Sequence, residues 1–270
     1  MTIPGKTKGV DGAAIPYVIP IGADGLPVAT YELSVGLGLV PGVRRVAALG
    51  NNPDVDAGPE DIWSGGGVYP WMTGATALEI VSDNAADAAA GTGARTVLVN
   101  GLDAVWEEVS QTVTLNGLTP VALVTPLYRI QSALIMSAGS GQVNAGNISV
   151  RDAGGGTVRA LIPVGYGITR QSQFTVPLGY TLSINSTLLC INRPSSIRDA
   201  TLATFIQSPL GFYRMPVEFS VDGNPYRHDG MPGIIVPEKT DFGIRCTYVS
   251  TTNTDITAAW LGVMRLNSLG

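Results

Sequence analysis

From Val68 onward, hydrophobic and polar residues alternate in short runs of the kind that form β-strands. The clearest run covers residues 109–115, where Val109, Val113 and Leu115 are separated by serine, glutamine and threonine. Side chains two residues apart lie on the same face of a strand, so this run predicts one buried side and one side facing water. About ten to twelve such runs follow one another at the spacing expected of β-sandwiches and barrels.

Turn signals separate the runs and indicate antiparallel hairpins. They lie at Asn100-Gly101, Asn116-Gly117, Gly154–Gly156, Pro177–Gly179 and Asp222-Gly223. The one helix-like segment, residues 83–91, is rich in alanine but too short to be stable alone, so helix and loop both remain open. No fixed repeat period appears, which argues against a solenoid or a propeller. The pattern therefore predicts an all-β protein, a jelly-roll-like antiparallel β-sandwich with an extended N-terminal arm.

Residues 1–67 follow a different pattern, in which prolines and glycines recur and no periodic run lasts. Segments such as LPVATYELSV (residues 26–35) are interpreted as short extended pieces. The segment is too apolar for a solvated linker, so we expect it to lie across the surface of a partner. The predicted domains are therefore 1–67, an anchoring arm and joint, and 68–270, a β-sandwich that forms one body or two sub-lobes.

The stretch from Gly50 to Trp71, GNNPDVDAGPEDIWSGGGVYPW, concentrates acids, prolines, glycines and tryptophans in a chain that is otherwise poor in charge. Prolines stiffen a chain, glycines let it turn, and tryptophans bury large faces. We interpret the stretch as the joint between arm and sandwich. The joint residues are Pro53, Pro59, Trp63, Gly65, Gly66, Gly67 and Trp71.

A metal loop is the alternative interpretation of the same stretch. Asp54, Asp56 and Gly58 match a fragment of a calcium-loop pattern, but the glycine comes one residue early. The terminal glutamate and the flanking helices of an EF-hand are not present either. A calcium site of another type would draw on Asp54, Asp56, Glu60 or Asp61.

Composition narrows the class of partner. Charged residues make up only 14% of the chain and the net charge is −5, whereas a nucleic-acid-binding surface needs clustered lysine and arginine. Arg44-Arg45 is the one adjacent basic pair, so we expect no nucleic-acid partner. The start of the chain lacks the apolar core of a signal peptide, and no apolar run is long enough to span a bilayer. These features predict a protein made in a cytoplasm, without a leader or a membrane span.

Residues suited to catalysis are scarce. His228 is the single histidine, and its neighbour Asp229 would point to the opposite face of an extended chain, where it cannot orient the imidazole. Cys190 and Cys246 lie in strand-like runs and are expected to be reduced core thiols. Phosphate- and dinucleotide-binding loops are missing. We therefore predict a protein that is not an enzyme and that carries no cofactor.

Several blocks of sequence carry a family resemblance. They are NNPDVD, EDIW, SGGG, AAGTGARTVLVNGLD, AGSGQVNAGNISVRDAGGGTVRALI, FTVPLGYTL and PEKTDFGIRCTYVSTTNTDITAAWLGVM. With these blocks, the chain from Asn51 to its C-terminus resembles a family of virion structural proteins of tailed bacteriophages. Residues 1–50 do not match comparably, as expected if the arm of each phage protein meets its own docking site.

The resemblance implies a non-enzymatic role in the virion, in which the arm docks on other virion proteins and the sandwich faces outward. A tail or fibre-type component is the first hypothesis, and a capsid (head) decoration or cement protein is the second. Homo-oligomers matched to the particle symmetry, trimers foremost, are expected. A third hypothesis is a module that binds a host receptor or a glycan. Its candidate surface recognition loop is Tyr213, Tyr226, Arg227 and His228.

Overall fold

A computed structural model describes residues 2–8, 14–20, 31–56, 58–192, 199–208, 211–222 and 224–269. The chain divides into two compact units, Met1–Arg45 (unit 1) and Val46–Gly270 (unit 2). Among the described residues, no helix has the length and apolar character needed to cross a membrane.

Unit 1 contains a β-hairpin and a short helix. Strands β1 (Thr2–Lys8) and β2 (Ala14–Pro20) pair in antiparallel register, with Thr2 opposite Pro20. Helix α1 covers Tyr31–Gly36, so the prediction of an extended segment over residues 26–35 is wrong from Tyr31 onward. The helix ends at a glycine cap, because Gly38 adopts φ 71°, a conformation that residues with a side chain rarely adopt. The predicted extended pieces before Tyr31 lie partly outside the described residues.

Unit 2 has two lobes, and the chain leaves the first lobe after its second strand and later returns to it. The first lobe, called the jelly-roll lobe here, contains β3 (Val43–Val55), β4 (Glu60–Asp61), β12 (Phe174–Thr175), β13 (Tyr180–Ile191), β14 (Ala200–Ser208), β15 (Phe212–Val221), β16 (Tyr226–Val236), β17 (Asp241–Val249) and β18 (Thr254–Leu266). A 3₁₀-helix, Asn267–Leu269, follows the last strand.

The strand pairing of this lobe is nested, as in a long hairpin rolled up on itself. β14 pairs with β15, β13 with β16, β4 and β12 with β17, and β3 with β18. The result is a sheet of order β16-β13-β18-β3 and a second of order β12-β17-β14-β15, with β4 beside β17. Nested antiparallel pairing distributed over two sheets is the topology of a jelly roll, so the predicted fold class is confirmed.

The two sheets of the jelly-roll lobe share one hydrophobic core. Leu182, Ile256 and Trp260 from one sheet pack in the same cluster as Phe242 and Ile244 from the other. Trp260 contacts Phe242 edge-on, with ring centroids 5.3 Å apart. On β18, buried residues alternate with partly exposed ones from Thr254 onward, as a strand between a core and the solvent requires.

The second lobe is inserted between β4 and β12, and is called the inserted lobe here. It contains β5 (Leu78–Ser82), β6 (Ala94–Leu102), β7 (Glu108–Thr114), β8 (Val121–Ala122), β9 (Arg129–Ala138), β10 (Ile148–Asp152) and β11 (Val158–Ile162). A sheet of order β11-β10-β5-β8 and a sheet of order β7-β6-β9 enclose a separate core that includes Ile80, Val97 and Ile148. Unit 2 therefore contains two sandwiches, each with its own core.

Several local predictions agree with the structure. On β7, Val109, Gln111 and Val113 are more buried than the residues between them, as the alternation predicts. Gly154 and Gly179 adopt positive φ in the β10–β11 turn and before β13, where the sequence predicted a turn and a corner. The predicted turn at residues 222–223 includes position 223, which lies outside the described residues.

The Asn100-Gly101 turn prediction is wrong, because both residues lie inside β6. A Cβ atom at Gly101 would come within 2.4 Å of the Arg129 carbonyl oxygen, so the glycine permits close strand approach there. The chain turns further on, where the Asp103 carboxylate accepts hydrogen bonds from the N–H groups of Val105 and Glu107. An Asn-Gly pair therefore marks a close approach of strands in this case.

Residues 83–91 form turns, which settles the open choice between helix and loop. The fully buried Asp87 organises them. Its carboxylate accepts hydrogen bonds from Ser82 Oγ at 2.6 Å and from the N–H groups of Ala94, Ala145 and Gly146 at 2.7–2.9 Å. These bonds tie the segment to the end of β5, the start of β6 and the loop before β10, and they satisfy the buried charge, a gain that an alanine-rich helix does not offer.

Residues 46–67, which the sequence analysis grouped with the arm, supply parts of the jelly-roll lobe. Most of β3 and all of β4 lie in this range, and Val55 and Ile62 are fully buried in the core. The division between the compact units accordingly falls between Arg45 and Val46, earlier than residue 67.

We expect deletion of residues 1–42 to leave unit 2 folded, whereas deletion of residues 1–60 should abolish its cooperative unfolding. The longer deletion removes β3, which exposes the edge of β18 and empties the core position of Val55. Urea unfolding followed by tryptophan fluorescence measures the difference. Equal stability of the two deletion variants would contradict the assignment of β3 to the lobe.

We also expect the two thiols to differ in reactivity. Cys246 is fully buried, and burial raises the pKa of its thiol to about 11. Cys190 is partly exposed, and burial raises its pKa as well. Because the thiolate is the reactive form, a maleimide at neutral pH should modify Cys190 slowly and Cys246 only after unfolding. Mass spectrometry of native and urea-treated protein tests this, and modification of native Cys246 would refute it.

Candidate functional site

The acidic stretch runs from the end of β3 through β4 into the segment before β5, where the chain passes from the jelly-roll lobe to the inserted lobe. Trp63 is buried, and its indole N–H donates a hydrogen bond to the Gly67 carbonyl oxygen at 3.2 Å. Gly66 and Gly67 adopt positive φ, and a Cβ atom at Gly65 would overlap the Trp63 ring. The glycines thus let the chain fold around the tryptophan, while Pro53 and Pro59 stay exposed. The stretch joins the two lobes of unit 2.

A series of aromatic rings continues from this stretch into the jelly-roll lobe. Trp63 contacts Tyr69, and Tyr69 contacts Trp71, with ring centroids 5.1 and 4.7 Å apart. Trp71 contacts Phe205 of β14 edge-on, with ring centroids 6.4 Å apart. The Tyr69 hydroxyl donates a hydrogen bond to the Arg159 carbonyl oxygen, and burial raises the pKa of Tyr69 above its ordinary value. Tyr69 thus binds the inserted lobe as a neutral phenol.

Three of the four acids proposed as metal ligands have separate partners, and the fourth, Asp54, is exposed. Asp61 is fully buried and receives both Nε and Nη2 of Arg245, at 2.7 and 3.0 Å. Burial raises the pKa of Asp61, against the opposing effect of Arg245 and of the Tyr69 N–H group.

Two of the other acids accept hydrogen bonds from nearby amides. Glu60 accepts from Asn52 Nδ2 and from the N–H groups of Asp56 and Gly67, at 2.9–3.0 Å. Asp56 accepts from the Asn253 N–H group at 3.1 Å. Within the described residues, no group of three or more His, Cys, Asp or Glu side chains is placed to hold a metal ion. The arrangement stabilises the connection between the lobes.

The two lobes are held together by a buried ion pair that the sequence analysis did not single out. Arg129 of β9, in the inserted lobe, is 3% exposed, and Asp241 of β17, in the jelly-roll lobe, is 1% exposed. Arg129 Nε and Nη2 donate to the two carboxylate oxygens of Asp241 at 2.8 and 2.9 Å. Arg129 Nη1 donates to the carbonyl oxygens of Met72 and Tyr128, and Thr175 Oγ1 donates to Asp241 at 2.6 Å. Both buried charges are therefore hydrogen-bonded on several sides.

Aromatic rings surround the Arg129 guanidinium. Its Cζ atom lies 4.4 Å from the ring centroid of Tyr128, 5.1 Å from that of Trp71 and 5.3 Å from that of Trp106. These cation–π contacts exclude water and favour arginine over lysine, whose compact ammonium cannot stack and bind bidentately at once. The available sequence signal was Arg129 as a lone charge among apolar residues, since a buried charge requires a partner; Asp241 follows Glu238 and Lys239 and gave no such signal.

The proposed recognition residues lie on strands, so the loop prediction is wrong. Tyr213 lies on β15, and Tyr226, Arg227 and His228 lie on β16. His228 is opposite Thr187 in the β13–β16 pairing, which continues through the turn signals around it. Strand pairing outweighs local turn propensity at this position.

The structure brings only part of the recognition set together. The ring of His228 is 6.4 Å from that of Tyr226, and Arg227 forms an exposed ion pair with Asp229. Tyr213 instead stacks on Phe205, with ring centroids 5.8 Å apart. The arrangement does not form a single aromatic platform of the kind that holds a sugar ring.

The outward side of the sheet β7-β6-β9 is uncharged from Ser110 onward, and is called the neutral face here. Cross-strand register places the outward positions of the three strands side by side, and a bridge between Leu134 and Ile168 adds a fourth row. The positions of the neutral face are Ser110, Thr112, Thr114, Thr96, Leu98, Asn100, Ser132, Leu134, Met136, Ser137 and Ile168.

A cleft of about 290 Å³ borders the neutral face. Ala47, Ala48 and Leu49 of β3 line one side, and Ser132 and Ile168 belong to the other. Leu49 is 39% exposed and Ile168 is 45% exposed, so apolar side chains at the cleft are open to solvent, and Arg170 also lines the cleft.

No protein-family model matches the chain, and no curated protein matches it. Among solved structures, the alignment with one of infectious bursal disease virus, Gx strain, covers 83% of this chain and 72% of the viral chain. The two chains are 10% identical, and the TM-score is 0.25. A structure of the Gt strain has 8% identity and a TM-score of 0.14, with coverage of 88% and 87%. One of T=1 particles derived from infectious bursal virus has 9% identity and a TM-score of 0.12, with coverage of 83% and 78%. At scores this low the likeness supports no conclusion about fold or function.

We expect Arg129→Gln to lower the free energy of unfolding by about 3–5 kcal/mol, because it leaves Asp241 buried without its partner. Arg227→Gln is the matched control. It breaks an ion pair whose side chains are 69% and 51% exposed, so its effect should stay below about 1 kcal/mol. Urea denaturation of both variants measures the contrast. Equal small losses would show that the junction does not depend on the Arg129–Asp241 pair.

Proposed function

We propose that this chain is a non-enzymatic structural component of a tailed-bacteriophage virion, of the tail or fibre type. In this proposal the N-terminal arm docks on other virion proteins, and the two lobes of unit 2 are displayed outward. The chain is made in the cytoplasm of the host bacterium and acts as a homo-oligomer, a trimer in the first instance. The sequence blocks from Asn51 to the C-terminus support the family, since they resemble virion structural proteins of these phages.

The observation that carries the proposal is the nested jelly-roll pairing with a second sandwich inserted between β4 and β12. Jelly rolls are common in viral capsid proteins and in lectins, where their stable paired sheets serve as scaffolds for assembly and recognition. A fold alone does not fix a function, so the sequence resemblance and the charge-poor surface are needed beside it. All three features fit a protein that works through its surfaces.

A capsid decoration or cement protein is the second candidate. The jelly-roll lobe favours it, because this fold packs side by side in viral shells. Under this alternative the arm clamps neighbouring capsid subunits. A host receptor- or glycan-binding module is the third candidate, favoured by the partly exposed Tyr226 and His228 on β16.

Immunogold labelling of intact virions with an antibody raised against residues 46–270 tests the proposal. We expect gold at the tail or its appendages, because the lobes are displayed outward there. Gold distributed over the head would replace the tail assignment with the decoration alternative. Absence of label from both intact and disrupted particles would refute the virion role, provided that the antibody detects the purified chain on the same grid.

A further inference from the structure

The cleft lies between the two lobes of unit 2. Residues 47–49 of β3, in the jelly-roll lobe, line one wall, and Gln131 and Ser132 of β9, in the inserted lobe, line the other. Residues 168–171, in the segment that leads from the inserted lobe back to β12, complete the lining. Ligand sites often occur where two bodies meet, because together they form a concave surface. The cleft therefore has the position of a binding site.

Arg170 brings a positive charge to the cleft, and no acid of the described residues neutralises it. Its Nε–H group is buried and has no acceptor among those residues. A partly buried cation without a partner costs free energy, so this arrangement favours an anion beside Arg170. Five other arginines of unit 2 each form an ion pair with an acid, namely Arg129, Arg151, Arg159, Arg227 and Arg245.

The ring of Tyr166 orients the Arg170 guanidinium. The Cζ atom of Arg170 lies over the ring, 4.1 Å from its centroid. A cation–π contact positions the planar group without neutralising its charge, so the guanidinium can still bind a carboxylate with two parallel hydrogen bonds. A group that is ordered in advance loses less entropy when its ligand binds.

Two hydroxyl groups of the cleft have protons left to donate. Ser132 Oγ accepts a hydrogen bond from Asn100 Nδ2 at 3.1 Å, and Thr169 Oγ1 accepts one from the Ala133 N–H group at 3.2 Å. A hydroxyl that accepts through its oxygen keeps its own proton as a donor. Neither hydroxyl donates to another described residue. The cleft thus offers these two donors beside the guanidinium.

The two glutamines of the cleft add no acceptor that a ligand can reach. Gln131 uses both ends of its side-chain amide on the backbone of Thr175. Gln171 Nε2 donates to the Ile130 carbonyl oxygen, and Gln171 Oε1 is buried out of reach of solvent. Among the described residues, no acid lines the cleft. A set of donors with one positive charge and no competing acid is complementary to an oxyanion.

We infer that the cleft binds a carboxylate, with the Arg170 guanidinium as its main partner and the Ser132 and Thr169 hydroxyls as further donors. One guanidinium matches the single charge of a carboxylate, whereas a phosphate dianion would meet one cation in a chain of net charge −5. Leu49 and Ile168 provide apolar surface for the hydrocarbon part of the ligand. The carboxylate belongs either to a small free acid or to an acidic side chain of another polypeptide. The inference goes beyond the proposed function and does not rest on it.

NMR titration of the full-length chain tests the inference, with butyrate as the probe and butyramide as its neutral counterpart. The backbone N–H signals of residues 168–171 should shift and saturate with butyrate, with a Kd on the order of 1–10 mM for so small a probe. Butyramide should cause no saturable shift. Arg170→Gln should weaken butyrate binding at least about tenfold, and Arg170→Lys should weaken it less, because lysine keeps the charge but loses the planar fork.

Arg227→Gln is the matched control, because it removes the same charge from an exposed arginine that does not line the cleft. It should bind butyrate like the wild type. Circular dichroism of each variant checks that the fold is kept. Failure of butyrate to give a saturable shift would overturn the inference, as would equal binding of butyramide or unchanged binding by a folded Arg170→Gln variant.

Two further probes define the ligand class. Inorganic phosphate that binds more tightly than butyrate would overturn the assignment to a carboxylate. Acetyl-glutamate methylamide presents the same carboxylate on a peptide-like frame. If it binds more tightly than butyrate, the site is upheld as one for an acidic side chain of a polypeptide, and if it does not, the site is upheld as one for a small free acid.

Discussion

The buried pair of Arg129 and Asp241 is the contact on which the arrangement of the two lobes depends. Each lobe has a core of its own, so neither needs the other to bury its apolar side chains. The junction is instead built from directional bonds, since a bidentate arginine–aspartate pair in a water-free site is stable in one geometry only. Trp71, Trp106 and Tyr128 keep water away from the guanidinium and so maintain that geometry.

The inserted lobe can be accommodated because of the way in which the jelly roll is paired. β4 and β12 both lie against β17, one on each side of the insertion in sequence, so the chain leaves and re-enters the lobe beside the same strand. Asp241, at the start of β17, pairs with Thr175 of β12 in the same register. The strand that receives both ends of the insertion therefore also carries the carboxylate that anchors it. The acidic stretch strengthens the same region through Asp61 and Arg245.

Part of the charge of unit 2 is used inside the molecule. Several of the acids and arginines of unit 2 are used in internal pairs, such as Glu79 with Arg151 and Asp152 with Arg159. Glu79 also accepts hydrogen bonds from the N–H groups of Gly154 and Gly155, in the turn after β10. These bonds together with Arg151 hold the pKa of Glu79 below the usual range.

The sequence by itself determined the strands, because alternation along a run such as residues 109–115 depends only on which side faces water. It also indicated that the glycines and tryptophans between residues 63 and 71 form a joint, although the tertiary structure decided which parts of the molecule they join. The nesting of the strands, the insertion after β4 and the meeting of Arg129 with Asp241, 112 positions apart, come from pairing between residues distant in sequence, which no local pattern encodes. The same reason explains the failures at Asn100-Gly101 and at β16. Turn propensities act over a few residues, and they lose to the hydrogen bonds and packing that a neighbouring strand supplies.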